Sequence, residues 1–218
     1  MKKQFVVIGL GRFGGSLVEE FYHLGIDVMA IDRNPERVEK YEKYATYAVQ
    51  ANAINESTIK DLGLRNMDHA IISLGNDIES SVLVTLLLKE MGVNQVWVKA
   101  ANEYHRKVLD KIGADRVIHP ERDMAKRIAH HVISEKVIDY IELSDNHSIV
   151  EIIASPKIHN KTLMDLDVRA KYGCNIIGLQ REGDIIVSPS ADERIYKDDI
   201  LIVIGENRDI HRFETGGV

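Results

Sequence analysis

Hydrophobic positions follow two alternating rhythms along the first 120 residues. Phe5-Val6-Val7-Ile8 is a short continuous apolar run, the pattern of a strand buried on both faces of a parallel sheet. Phe13, Leu17, Phe21 and Leu24 then recur at helical spacing, and Gly25 stops that helix. A second strand over 27–31 ends at Asp32, and Asn34-Pro35-Glu36 opens a helix with Asn34 as its cap. The exchange continues with strands over 47–49, 69–74, 95–98 and 115–119 and helices over 55–62, 78–91 and 102–112. Strand and helix alternating at this spacing predict an α/β fold, a Rossmann-type doubly wound parallel sheet.

Two helices carry more information. Over 78–91 the apolar residues Ile78, Val82, Leu83, Val84, Leu86, Leu87, Leu88 and Met91 cover more than one face. A helix apolar all round is buried on both sides. The sheet takes one side, and the other is expected to meet a partner subunit. Pro120-Glu121 opens a further helix, striped by Met124, Ala125, Ile128, Ala129, Val132 and Ile133. Beyond it the pattern turns β-rich, with strands over 148–154, 175–180, 185–187 and 200–204. A helix over 163–172 ends at Gly173, and Glu182-Gly183-Asp184 makes a hairpin turn. The expected domains are 1–134, the Rossmann part with its long last helix, and 135–218, a small α+β module.

Composition narrows the classes. The chain has 218 residues, is 44% hydrophobic and carries a net charge of -6, which disfavours nucleic acid as a partner. The single cysteine, Cys174, excludes a disulfide within the chain and reads as a small buried hydrophobe in a reducing compartment. The apolar stretch at 82–88 falls far short of the roughly 20 residues that span a membrane. Phe5–Ile8 is too short for the core of a signal peptide. A cytoplasmic chain is expected, peripheral to the membrane through a membrane partner.

The candidate chemistry sits after the first strand. Gly9-Leu10-Gly11-Arg12-Phe13-Gly14 lies between a buried strand and an amphipathic helix, with Asp32 ending the next strand. In this context Gly9 permits the tight turn, Gly11 the close approach of phosphates and Gly14 the packing of helix on strand. The helix N-terminus offers free N–H groups and a positive dipole end. Asp32 is placed for ribose hydroxyls and opposes a 2′-phosphate, which disfavours NADP. Arg12, inside the loop, suits ATP or ADP, while NAD(H) remains compatible. Lys99 lies on the same carboxyl edge of the sheet. No Ser–His–Asp or Cys–His pattern accompanies the loop. His130 and His131 are neighbours on a helix and point about 100° apart, so they cannot chelate as i, i+4 pairs do. Binding without catalysis is the expectation, with a small NAD-dependent oxidoreductase as the alternative. A redox-sensing repressor lacks a DNA-reading helix here.

Several segments together resemble the RCK (regulator of potassium conductance, TrkA-type) family, and within it the gating subunits of Ktr potassium uptake systems. These are Phe5 to Gly15, Val98-Lys99-Ala100, Lys111 to Asp115 and His119-Pro120-Glu121-Arg122-Asp123. Leu166 to Gly173 and Asp198 to Gly205 are similar to the RCK C-domain, TrkA-C. The resemblance covers essentially the whole chain. It implies a homo-oligomer, dimers assembling into an octameric ring, docked on an integral membrane potassium-transporting subunit. It further implies that Arg12 contacts phosphates, that Asp32 holds the ribose, and that Gly9, Gly11, Phe13, Gly14, Asn52, Ala53, Gly75 and Lys99 border the nucleotide. Glu121 would reach a divalent cation, Mg or Ca, beside the phosphates. Cyclic di-AMP would bind the C-domain, with Arg169 and Ala170 near its phosphates and Asn175, Ile176 and Ile177 at its bases. The helix at 122–134 corresponds to the family's crossover helix.

Overall fold

The computed structural model describes residues 3–75, 77–133 and 136–218. The side chain of His130 and the 134/135 domain boundary expected from the sequence lie outside the described residues. The chain divides into two compact units, 1–121 and 122–218.

The first unit alternates as its hydrophobic rhythm predicts. Its order is β1 (Phe5–Ile8), α1 (Arg12–His23), β2 (Val28–Asp32), α2 (Pro35–Tyr41), β3 (Tyr47–Gln50), α3 (Glu56–Asp61), β4 (His69–Ile72), α4 (Ile78–Glu90), β5 (Gln95–Lys99), α5 (Glu103–Lys111) and β6 (Arg116–Ile118), and α6 (Pro120–Ile133) begins at its end. The described strands form one parallel sheet in the order β3-β2-β1-β4-β5-β6. Neighbouring residues of β1 serve opposite faces. Val6 and Ile8 join one apolar cluster with Ile72, Val84, Leu88 and Val98, while Val7 joins another with Val18, Ala30 and Tyr41. Both faces are therefore covered, and a continuous apolar strand is the one that gains by it, at about 1.5–3 kcal/mol for each large aliphatic side chain fully buried. The strand order reverses between β1 and β4, and in such sheets a cleft opens at their carboxyl ends.

Helix α4 does not pack through its leucines alone. Ser80, Ser81, Val84, Thr85 and Leu88 are its buried residues, and the Thr85 hydroxyl donates to the Ser81 carbonyl at 2.6 Å. Small side chains let the helix lie close to its neighbours. Ile78, Leu83 and Leu86 face outward, each more than a third exposed.

The second unit continues with β7 (Val137–Ser144), β8 (His147–Ile153), α7 (Leu163–Leu166), α8 (Val168–Tyr172), β9 (Asn175–Arg181), β10 (Asp184–Val187), β11 (Ile200–Glu206) and α9 (Asn207–Arg212), followed by a π-helical turn at Phe213–Gly217. Its strands form an antiparallel sheet in the order β10-β9-β11-β8-β7. Three features differ from the expectation. Strand β7 was not expected. Its register against β8 shifts twice, at Val137/Asp139 and Glu142/Ser144, so its buried residues Val137 and Tyr140 fall three apart and lose the alternation that marks a strand. The helix expected over 163–172 is two short helices, because Asp167 takes a left-handed conformation at φ 46°. The polar segment 207–212 is helical because Ile210 and Phe213 anchor it in the core.

Candidate functional site

The glycine loop joins β1 to α1, and its three glycines meet different surroundings. A Cβ on Gly14 would fall on the Gly9 carbonyl oxygen, and one on Gly9 would fall on the Ser73 carbonyl. Gly9 is also left-handed, at φ 94°. These two let the helix and β4 close on the strand. A Cβ on Gly11 would meet nothing within 4 Å. Gly11 is the N-cap of α1, and it offers no side chain to the first-turn amides, which lack acceptors within the helix. An anion is the natural partner for such a terminus.

The open side is a cavity of about 480 Å³ in the first unit, within the range of small-molecule sites. Of the eleven residues expected to hold a nucleotide, all but Gly14 line it. Gly9, Gly11, Arg12 and Phe13 come from the loop and Asp32 from the end of β2. Asn52 and Ala53 follow β3, Gly75 follows β4, and Lys99 and Glu121 close the far side. Gly14 lies behind the loop, in the close packing just described.

Charge pairing distinguishes the lining side chains. Lys99 hydrogen bonds to Glu121, holding that carboxyl below the usual glutamate range against a partial burial that would raise it. The Lys99 ammonium also lies 5.9 Å from the centre of the Phe13 ring. Asp32 is 5% exposed, and both of its oxygens are engaged: Leu10 N–H donates to Oδ2 at 2.7 Å and Asn34 N–H to Oδ1 at 2.8 Å. Its carboxylate thus ties the glycine loop to the β2–α2 turn while retaining lone pairs for a further donor. Arg12 forms no ion pair among the described residues. The lining holds four cations (Arg12, Arg33, Arg37, Lys99) and three carboxylates (Asp32, Asp77, Glu121), a surplus of one positive charge. No histidine or cysteine lines the cavity among the described residues. The arrangement is equipped to bind an anion and offers no placed general base of that kind.

Arg33, Arg37 and Asp77 were not singled out from the sequence. Arg33 Nη1 lies 3.5 Å from Asp77 Oδ2, and Arg37 Nη1 lies 3.4 Å from Asp32 Oδ2. The two arginines lie four apart, the first directly after Asp32, and that spacing was the available signal. Asp77 could not be found this way, because its approach to Arg33 joins loops 44 residues apart.

No group of three metal-ligating His, Cys, Asp or Glu side chains occurs among the described residues. Among the described residues Glu121 is a single carboxylate, hydrogen bonded to Lys99. In the second unit Arg169 and Ala170 lie exposed on α8, and Asn175 and Ile177 lie exposed at the start of β9. Ile176, between the last two, is partly buried and packs against that unit's core. Arg169 forms no ion pair among the described residues.

The chain joins a Rossmann-type unit, with a net cationic cavity at the carboxyl edge of its sheet, to a small antiparallel unit. Residues 5–120 match the TrkA-N domain and residues 147–215 the TrkA-C domain. The chain is 55% identical to Ktr system potassium uptake protein C of Bacillus subtilis, over 98% of this chain and 97% of that protein. It is 50% identical to Ktr system potassium uptake protein A of the same organism, over 99% and 97%. The chain belongs to the TrkA-type (RCK) family of Ktr potassium uptake proteins. The fold also resembles the crystal structure of the GsuK RCK domain, with a TM-score of 0.54 at 20% identity, covering 98% of this chain and 46% of that one. No described helix is long and apolar enough to cross a membrane.

Proposed function

We propose that this chain is a nucleotide-sensing gating subunit that controls potassium flux through a separate membrane protein carrying the ion pathway. The observation that carries the reading is Arg12, a guanidinium that forms no ion pair among the described residues, beside an uncapped helix N-terminus in a net cationic cavity. Adenine nucleotides match it: phosphates for Arg12 and the α1 amides, ribose hydroxyls for the remaining lone pairs of Asp32. ATP brings one more phosphate than ADP, so the two ligands differ in charge where Arg12, Lys99 and Glu121 meet. A ligand shifts an equilibrium between two shapes only by its differential affinity for them, and this difference is the available one. Glu121 would contribute one carboxylate to a Mg or Ca ion, the remaining ligands coming from phosphate oxygens and a neighbouring subunit. The second unit is assigned cyclic di-AMP, with Arg169 as the phosphate-binding cation. Assembly into dimers and an octameric ring would cover the outward apolar residues of α4 and of α6, whose Met124, Ile128, Val132 and Ile133 are all at least half exposed.

Calorimetry on the full chain with ATP, ADP, NADH and cyclic di-AMP tests the reading. ATP and ADP are expected to bind. Arg12→Ala should weaken ATP by about 1.5–3 kcal/mol, the loss for a hydrogen bond to a charged group, and leave adenosine and cyclic di-AMP unchanged. Equal loss for ATP and adenosine would mean that Arg12 serves the fold and not the phosphates. In vesicles containing the membrane partner, ATP should raise potassium flux above its level with ADP.

A further inference from the structure

The turn from β5 into α5 is tied to the interior by one histidine. His105 lies on α5 and is 2% exposed. Its Nδ1 accepts the Ala101 N–H at 3.1 Å, and its own backbone N–H donates to the side-chain oxygen of Asn102, the cap of α5, at 2.9 Å. A neutral imidazole whose Nδ1 accepts carries its proton on Nε2. Burial keeps His105 neutral, because desolvation pushes its pKa below the usual histidine value. His105 Nε2–H is thus a fixed donor.

His119 supplies the matching feature. It directly follows β6, where the Ala100 N–H donates to the Ile118 carbonyl at 2.9 Å. The two histidines therefore flank the carboxyl end of β5, near enough that a positive charge on His119 lowers the His105 pKa further. The Nε2 atoms of both are enclosed and have no hydrogen-bond partner among the described residues. A donor and an acceptor left unpaired in the interior are each costly, and pairing them relieves both.

The place of this pair bears on the cavity. Ala101 comes two residues after Lys99, and His119 two residues before Glu121. Lys99 and Glu121 close the cavity's far side. The Lys99 side chain is 14% exposed and that of Glu121 66%, so Glu121 depends on the backbone before it for its place.

We propose that His105 is a positioning residue for the far side of the cavity: its Nδ1 fixes the segment after Lys99, and its Nε2–H donates to Nε2 of His119 and fixes the segment before Glu121. One buried neutral imidazole then sets the separation of the two charges that meet the outer phosphates of ATP. The role rests on reading the cavity as a nucleotide site.

The test titrates the full chain with ATP and with AMP, because only ATP carries phosphates beyond the first. Asparagine keeps an acceptor near the Nδ1 position and has no donor at Nε2, whereas glutamine places an amide N–H near Nε2. His105→Asn should weaken ATP about three- to tenfold, the range for one neutral hydrogen bond, and AMP less than about twofold. His105→Gln should hold ATP within about twofold of wild type. Nitrogen-15 spectra of histidine-labelled wild type should show the proton of His105 on Nε2 and that of His119 on Nδ1. A loss as large in His105→Gln as in His105→Asn, or one shared equally by ATP and AMP, overturns the proposal. So does a neutral His119 with its proton on Nε2, which cannot accept there. A wild type that binds neither ligand overturns the nucleotide site itself, and this role with it.

Discussion

Gly11 and Gly14 lie three residues apart in one loop and answer differently to a methyl group. At Gly14 the added carbon meets the Gly9 carbonyl; at Gly11 it projects into open space. Gly14→Ala should therefore destabilise the fold by about 1–3 kcal/mol, the usual cost of overpacking, read as a lowered denaturation midpoint. Gly11→Ala should leave the midpoint within about 1 kcal/mol of wild type while weakening ATP, because the methyl occupies the space phosphates need. A Gly11→Ala protein with full ATP affinity would place the ligand elsewhere. The Lys99–Glu121 pair sets a pH dependence of its own. Lys99 lowers the Glu121 pKa from its ordinary 4.5. The stabilising contribution is thus complete above the ordinary value and is lost as pH falls through the lowered one. Melting temperatures of wild type and Glu121→Gln should differ at neutral pH and converge in acid. The effect should be small, since the Glu121 side chain is 66% exposed and solvent screens the pair.

At the scale of elements, α4 separates what hydrophobic content says from what packing uses. Its buried face is built from Ser80, Ser81, Thr85, Val84 and Leu88, and Leu83 and Leu86 are left outward. A helix hydrophobic on more than one face gains by covering both sides, and in the proposed assembly a partner subunit supplies the second cover. Introducing Leu83→Glu together with Leu86→Glu should preserve the circular dichroism of the wild type and reduce its assembly, followed by sedimentation. Unchanged assembly would exclude this face as a subunit contact. Sequence rhythm located α4 because its apolar run is long and falls between two strands at βαβ spacing. It missed β7 because two register shifts spoil a period of two, and it ran α7 and α8 together because a single left-handed residue, Asp167, leaves no mark on helical spacing.

At the scale of the whole molecule, charge is unevenly distributed. The chain carries a net charge of -6, whereas the cavity lining carries a surplus of one positive charge. An acidic surface discourages long polyanions, and a local cationic cleft still admits a small one. This combination suits a free nucleotide better than a nucleic acid. The compact units meet within the sequence of α6, between Glu121 and Arg122. The residue closing the cavity's far side and the residues of the exposed apolar stripe thus belong to one continuous helix, Pro120–Ile133.

The sequence by itself determined the parallel sheet, the place of the glycine loop and, with the family resemblance, about half of the residues around the cavity. Those features depend on local spacing: continuous apolar runs for strands covered on both faces, glycines where backbone must touch backbone, and loops that a doubly wound sheet gathers at its carboxyl edge. Tertiary structure alone decided which charges meet. Arg33 finds Asp77, Glu121 finds Lys99 and Arg37 settles on Asp32, while Arg12 forms no ion pair among the described residues. Pairing across loops depends on distances of a few ångströms between residues far apart in the chain, and no periodicity in the sequence encodes them.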